Sequence, residues 1–306
     1  MFKVMVSDLG SPSYFVATAA VTLGFFREEG IETGPVTGDM TNTRGLADGT
    51  FQFYGGPAYG PLRAFPDFQG VKLLCALSQY SYWFMGIRAD LDVKRGDINA
   101  LKGLRISSSR GSPGHGLKQM LVDAGIDFER DNVSVVDNPS QGRKQLLRGT
   151  DGIEALQRGI SDAFWGNGMR LEMGVRSGLA KLHIDLRRGD GPPQARYYNF
   201  PALAAPQKLV DERPDVCAAA VRAIVKTQKA LQADPSLATK VGHEVFPGEE
   251  EELISGLVER DAPYYQAQIS PEAIDGLNGF LAKRGLISRT IPYEQVVAAQ
   301  FKELWH

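Results

Sequence analysis

One strand–loop–helix pattern occurs twice in this chain, and the repeat constrains the fold more than any other feature. Val4–Val6 reads as a strand that leads to Ser11-Pro12, a helical stretch and then Gly24-Phe25. Leu104–Ser107 reads as a strand that leads to Ser112-Pro113, a helical stretch and then Gly125-Ile126. The spacing from Ser-Pro to Gly is the same in both copies, at an offset of 101 residues. A second pair keeps the order. Leu46-x-x-Gly49 precedes Phe53-Tyr54-Gly55, and Leu156-x-x-Gly159 precedes Phe164-Trp165-Gly166, the two Leu-x-x-Gly runs being offset by 110. Two motifs repeated in order and in the same context predict two α/β lobes of related design.

The surrounding pattern agrees. Phe51–Tyr54, Lys72–Leu77, Trp83–Ile87, Val133–Val136 and Asp162–Trp165 read as further buried strands. Tyr14–Glu29, Gly114–Ala124, Ile153–Arg158 and Met169–Ser177 read as helices between them. Strands alternating with helices imply βαβ units and a largely parallel sheet. From Lys208 onward the chain reads as mostly helical, over Pro214–Gln232, Pro235–Val245, Glu249–Gln266, Pro271–Arg284 and Tyr293–Leu304. Tyr197-Tyr198-Asn199-Phe200 follows a Gly-Pro-Pro break and reads as a return into the first lobe. The length of 306 residues suits about two domains.

Composition excludes several classes. Apolar residues at 43% and charged residues at 23% are those of a globular chain, not a disordered one. A net charge of -2 argues against a nucleic-acid partner, whose binders carry a basic face. No apolar run approaches the roughly 20 residues of a transmembrane helix. The opening Met1–Val6 is already strand-like, without basic, apolar and small-residue regions of an export signal. The expectation is a cytoplasmic chain as the sequence stands, or a periplasmic one whose signal has been removed.

Each lobe offers a Ser/Gly loop between a strand and a helix: Ser7–Ser13 in the first, Ser107–Gly114 in the second. The free N–H groups and dipole at a helix start favour a carboxylate, sulfonate or phosphate. Ser11, Ser13 and Tyr14 in one loop, and Ser108, Ser109, Ser112 and His115 in the other, are therefore candidate ligand contacts. Ser-Pro equally reads as an N-cap followed by proline at the first helical position. Gly55-Gly56-Pro57 and Gly166-Asn167-Gly168 also follow strands, which adds Gly56, Pro57 and Asn167. Asn167 equally fits a turn residue at positive φ. In Ser78–Phe84, Tyr82 and Trp83 would form an aromatic wall for a flat ligand, or core packing.

Catalytic signals are sparse. The four histidines show no zinc spacing, and no metal or other cofactor is expected. Cys75 and Cys217 read as small core residues. There is no nucleophile elbow and no Walker-type loop. His115 alone stands where a general base would reach a ligand. Arg187-Arg188 and Glu249–Glu252 read as solvated charge.

Ser11–Gly30, SPSYFVATAAVTLGFFREEG, resembles the opening helix of substrate-binding proteins of the nitrate, sulfonate and taurine ABC transporters. Leu46–Pro57, LADGTFQFYGGP, is similar to that family's second motif, and Leu101–Ser107, LKGLRIS, to the start of its second lobe. Ala155–Gly168 is similar to its later strand and loop, so the resemblance runs in order over residues 1–200. It implies an α/β, two-lobed type II periplasmic-binding-protein-like fold with a C-terminal helical segment. Lobe I would comprise 1–90 and 196–306, and lobe II 91–195, with a ligand in the cleft between them. It further implies a small anionic or aromatic ligand and an ABC permease as protein partner. The superfamily also holds enzymes: a thiamine pyrimidine synthase, aromatic-acid decarboxylases and a desulfinase. The synthase's cysteine-rich run and the desulfinase's loop cysteine are absent from this chain. An aromatic-acid decarboxylase, with His115 as proton carrier, is the alternative to solute binding.

Overall fold

The computed structural model describes residues 1–38, 43–109, 111–139, 150–246 and 248–306. Its contacts divide the chain into two units, Met1–Tyr80 with Asn199–His306, and Ser81–Tyr198. The strands are β1 Val4–Val6, β2 Thr37–Gly38, β3 Phe53–Pro57, β4 Val71–Ala76, β5 Phe84–Arg88, β6 Arg105–Ser108, β7 Ser134–Asp137, β8 Ala163–Gly166, β9 Ala180–Asp185 and β10 Pro201–Pro206. The first unit holds helices α1 Phe15–Thr22, α2 Phe25–Glu28 and α3 Arg44–Asp48. The second holds α4 Ser112–Asp123, α5 Thr150–Gln157 and α6 Gly168–Arg176. The first unit then resumes with α7 Gln207–Glu212, α8 Pro214–Ala233, α9 Leu237–Val245, α10 Glu249–Asp261, α11 Pro271–Lys283 and α12 Tyr293–Val296.

The two sheets repeat one topology. The first unit runs β2-β1-β3-β10-β4 and the second β7-β6-β8-β5-β9. In each, three parallel strands are followed by an antiparallel one, β10 or β5, supplied by a segment that has just crossed from the other unit. A register shift falls between Leu203 and Ala204 in β10 and between Met85 and Gly86 in β5. Leu203 faces Gly55 and Met85 faces Trp165, the residue before Gly55's counterpart Gly166, so the irregularity falls within one residue of the same place in both copies. The repeat glycines explain why the echo was legible. Gly24 and Gly125 each stop a helix at φ above +80°, and Gly49 and Gly159 also stop theirs at positive φ.

Several expectations shift. The first crossing falls at 80/81, not 90/91, because Phe84–Arg88 pairs with β8 and β9 in the second unit. The second falls at 198/199. The Tyr198 hydroxyl donates to Asp123 Oδ2 at 2.5 Å within the second unit, while Asn199 Oδ1 accepts from the Ala58 N–H at 3.1 Å within the first. The Tyr14–Glu29 helix breaks at Gly24 into α1 and α2. Tyr293–Leu304 splits because Val297 turns extended and bridges Leu73, leaving α12 and a 3-10 turn. Strands β9 and β10 went unread: AKLHID alternates weakly, and PALAAP looks like coil until its neighbours pair with it.

Helix α1 is apolar all round because it is covered all round. Phe15 to Ala20 are buried, with Phe15 stacked on Phe246 at 6.2 Å and Ala17 close over Gly55. A Cβ on Gly55 would come within 2.8 Å of the Ala17 methyl, so glycine there sets how closely helix and sheet approach. Helix α8 secures the end of β4: Gln228 Nε2 donates to the carbonyls of Ala76 and Leu77 at 3.1 and 3.0 Å.

Candidate functional site

In the first unit β1 and β3 are parallel, with Val6 beside Gly55, so their following loops leave the same sheet end. The Asp8 carboxylate turns the first loop by accepting from the Gly10 N–H at 3.0 Å, and the Ser11 N–H donates to the Asp8 carbonyl. Ser11 occupies the N-cap of a 3-10 turn, Pro12–Tyr14, but its side chain makes no capping bond. Ser11, Ser13 and Tyr14 are all buried. Gly56 has a packing reason. A Cβ there would fall 2.3 Å from Tyr54 Oη, and one on Gly60 at 2.2 Å, so both glycines make room for that phenol. The Tyr54 hydroxyl lies against the Ser7 side chain, and burial pushes its pKa well up. Pro57 pairs with Pro201 at the strand end. The next residue, Ala58, is fixed through its N–H by Asn199 Oδ1 and the Phe200 carbonyl.

In the second unit Ser108 ends β6 and is buried, donating to the Ser109 carbonyl at 3.3 Å. Ser109 Oγ accepts from Asn138 Nδ2 at 3.2 Å, which brings the end of β7 into the same cluster. Ser112 opens α4, and its side chain lies outside the described residues. The Gly114 N–H donates to the Ser109 carbonyl and the His115 N–H to the Gly111 carbonyl. Pro113 has no N–H, so the start of α4 presents fewer backbone donors than its sequence suggests. His115 is half-buried in the first turn. Asn167 is the N-cap of α6, at φ -78° and not at positive φ, and its Oδ1 accepts from the Arg170 N–H at 3.2 Å.

Tyr82 and Trp83 are packed in this unit. Their rings lie 5.6 Å apart, and Trp83 lies 6.3 Å from Trp165. Trp83 also presses on α4, where a Cβ on Gly116 would sit 2.1 Å from the indole. The chain thus carries Tyr82, Trp83, Ser108, Ser109, Ser112, His115 and Asn167 in one unit, and Ser11, Ser13, Tyr14, Gly56 and Pro57 in the other. Reading the sequence missed Asn138, Trp165 and Asn199, because nothing in their spacing marks which strand ends meet. It also misjudged Arg187, expected as solvated charge. Arg187 is buried, pairs with the buried Asp185 at 3.1 Å and stacks over Phe84 at 4.6 Å, whereas Arg188 is exposed.

Neither thiol is poised for catalysis. Burial raises the Cys75 thiol pKa strongly and lifts that of Cys217 to about 12, the opposite of an activated thiolate. Among the described residues no three His, Cys, Asp or Glu side chains converge as a metal site, and no helix is long and apolar enough to cross a membrane.

No protein-family model matches the chain, and no curated protein matches it in sequence. Solved structures match it in fold. A periplasmic sulfonate-binding protein, SsuA from Methylobacillus flagellatus KT, is 16% identical with a TM-score of 0.71, over 98% of this chain and 92% of that one. The alkanesulfonate-binding protein SsuA from Xanthomonas axonopodis pv. citri, bound to MOPS, is 15% identical with a TM-score of 0.68, over 96% and 97%. A cysteine-to-serine mutant of the desulfurization enzyme DszB, in complex with biphenyl-2-sulfinic acid, is 15% identical with a TM-score of 0.67, over 99% and 98%. Together with the two repeated sheets, this likeness establishes an α/β, type II periplasmic-binding-protein-like fold with a C-terminal helical segment.

Proposed function

We propose that the chain is a solute-binding protein of an ABC-type importer, taking a small organic anion or heteroaromatic acid without chemistry. The observation that carries this reading is the duplicated strand-end loop set, built mainly from serine, asparagine, glycine and aromatic side chains. Such groups hold an anion by hydrogen bonds and release it unchanged, as transport requires. Proteins that share the fold are described as binding sulfonates, which supports the ligand class. Ser11, Ser13, Tyr14, Gly56 and Pro57 would serve from one unit, and Tyr82, Trp83, Ser108, Ser109, Ser112, His115 and Asn167 from the other. A permease would be the protein partner.

A thermal-shift screen of alkanesulfonates, benzoates, phthalates and pyrimidines tests the reading. At a hundred times its Kd a ligand adds about 2.7 kcal/mol of stability, or roughly 5–10 °C in Tm. If no anion or aromatic acid moves Tm, the reading fails. The alternative is an aromatic-acid decarboxylase, favoured by the place of His115 in the first turn of α4 and by the enzyme that shares the fold. Release of carbon dioxide from a bound aromatic acid, lost in His115→Ala with binding intact, would replace the first reading with this one.

A further inference from the structure

In the second unit two polar side chains each have an acceptor already engaged. Ser109 Oγ accepts from Asn138, and Asn167 Oδ1 accepts from the Arg170 N–H. These two side chains therefore have a hydroxyl hydrogen and an amide NH2 left to give. Trp165 has only a donor, its indole N–H. That nitrogen is buried in a residue 1% exposed, and it has no acceptor among the described residues. Buried indole N–H groups ordinarily find a partner. Trp305 shows the usual arrangement, donating to the Leu74 carbonyl at 3.0 Å.

These groups share one end of one sheet. Trp165 lies beside Ser108 in the β6–β8 register, so their side chains leave the same face. Phe164, one residue earlier, fills the opposite face with Phe84, Leu156 and Leu171. On the Trp165 face, the Trp83 ring joins Trp165 to Gly116 of α4. Through Trp83 the Trp165 ring is thus linked to the second turn of α4, with Asn167 two residues on from Trp165 at the start of α6.

We propose that Trp165 recognises the ligand's anionic head, its indole N–H giving a hydrogen bond to a sulfonate or carboxylate oxygen together with the Asn167 amide. The inference rests on the solute-binding reading and narrows it: the head group is acceptor-only, and uncharged donors hold it.

The test uses the full chain with 15N-labelled tryptophan. The protein has three tryptophans, so three indole N–H signals are assigned with Trp83→Phe, Trp165→Phe and Trp305→Phe. Ethanesulfonate, benzoate and, as a control, ethylammonium are titrated while Tm is followed. The expected result is that an oxyanion which raises Tm moves the Trp165 indole proton downfield, and that ethylammonium does neither. Trp165→Phe should weaken that oxyanion about 10- to 100-fold, the loss expected for one charge-assisted hydrogen bond, while Trp305→Phe leaves affinity unchanged. If an oxyanion raises Tm but the Trp165 signal stays in place, or Trp165→Phe binds equally well, this proposal is overturned and solute binding stands. If no oxyanion raises Tm, both fall. Should Trp165→Phe fail to fold, the wild-type signals, assigned from the other two variants, still decide.

Discussion

Gly116→Ala separates what helix propensity alone expects from what packing imposes. Gly116 lies inside α4, where alanine is favoured over glycine by about 1 kcal/mol. On that ground the substitution stabilises. The structure says otherwise: the new Cβ would fall 2.1, 2.7 and 3.0 Å from three atoms of the Trp83 ring. Trp83 is 3% exposed and confined by Tyr82 and Trp165, so the ring cannot swing into solvent. Overpacking of this kind costs about 1–3 kcal/mol, and a contact this short with a rigid ring belongs at the upper end. After the propensity gain, a net loss of about 2 kcal/mol remains, equivalent to roughly 4–8 °C in Tm. The assay is urea unfolding of the wild type, Gly116→Ala, Trp83→Ala and the double variant. Once the ring is removed, Gly116→Ala should become neutral or stabilising by up to about 1 kcal/mol, giving a clear coupling energy. A single Gly116→Ala variant more stable than the wild type would refute the placement of Trp83 against α4.

Two other expectations test the second unit. Asp185→Ala should cost about 3–5 kcal/mol in urea unfolding, because it leaves the Arg187 guanidinium buried and unpaired; a loss under 1 kcal/mol would contradict the burial of that pair. His183 should make the protein acid-sensitive. Its Nε2–H donates to the Asp97 carbonyl at 3.0 Å, and desolvation lowers its pKa below the ordinary 6.5 despite that bond and the nearby Asp97 and Asp190. The unfolded chain then binds the proton more readily than the fold does. The associated stability is full above about pH 6.5 and declines below it, by at most about 1.4 kcal/mol per pH unit. Urea midpoints between pH 5 and 8 should fall less steeply for His183→Gln than for the wild type, and parallel curves would remove His183 from the account.

The legible parts of this chain were those set by local chemistry. A glycine at positive φ ends a helix wherever the chain goes next, so Gly24 and Gly125 announced the duplication, and Gly49 and Gly159 supported it. Ser-Pro marked two helix starts for the same reason. The loops carrying Ser11, Ser108 and Asn167 followed, since a strand feeding a helix leaves its turn at the sheet's end. Their individual roles did not follow. Asn167 turned out to cap α6, Gly56 to clear space for Tyr54, and the start of α4 to use its own amides.

The sequence by itself determined two repeated α/β units, their helix ends and the two loop families. Those are written in turn residues and in hydrophobic period, which act over a few residues. Tertiary structure alone decided that β5 and β10 each cross to complete the other sheet, and that Arg187 is buried on Phe84. It also decided that Trp83 presses on Gly116 and that Trp165 buries a donor without an acceptor among the described residues. Each of these depends on which distant strand lies alongside, and partner choice is settled by burial summed over the whole fold, not by any single stretch of residues.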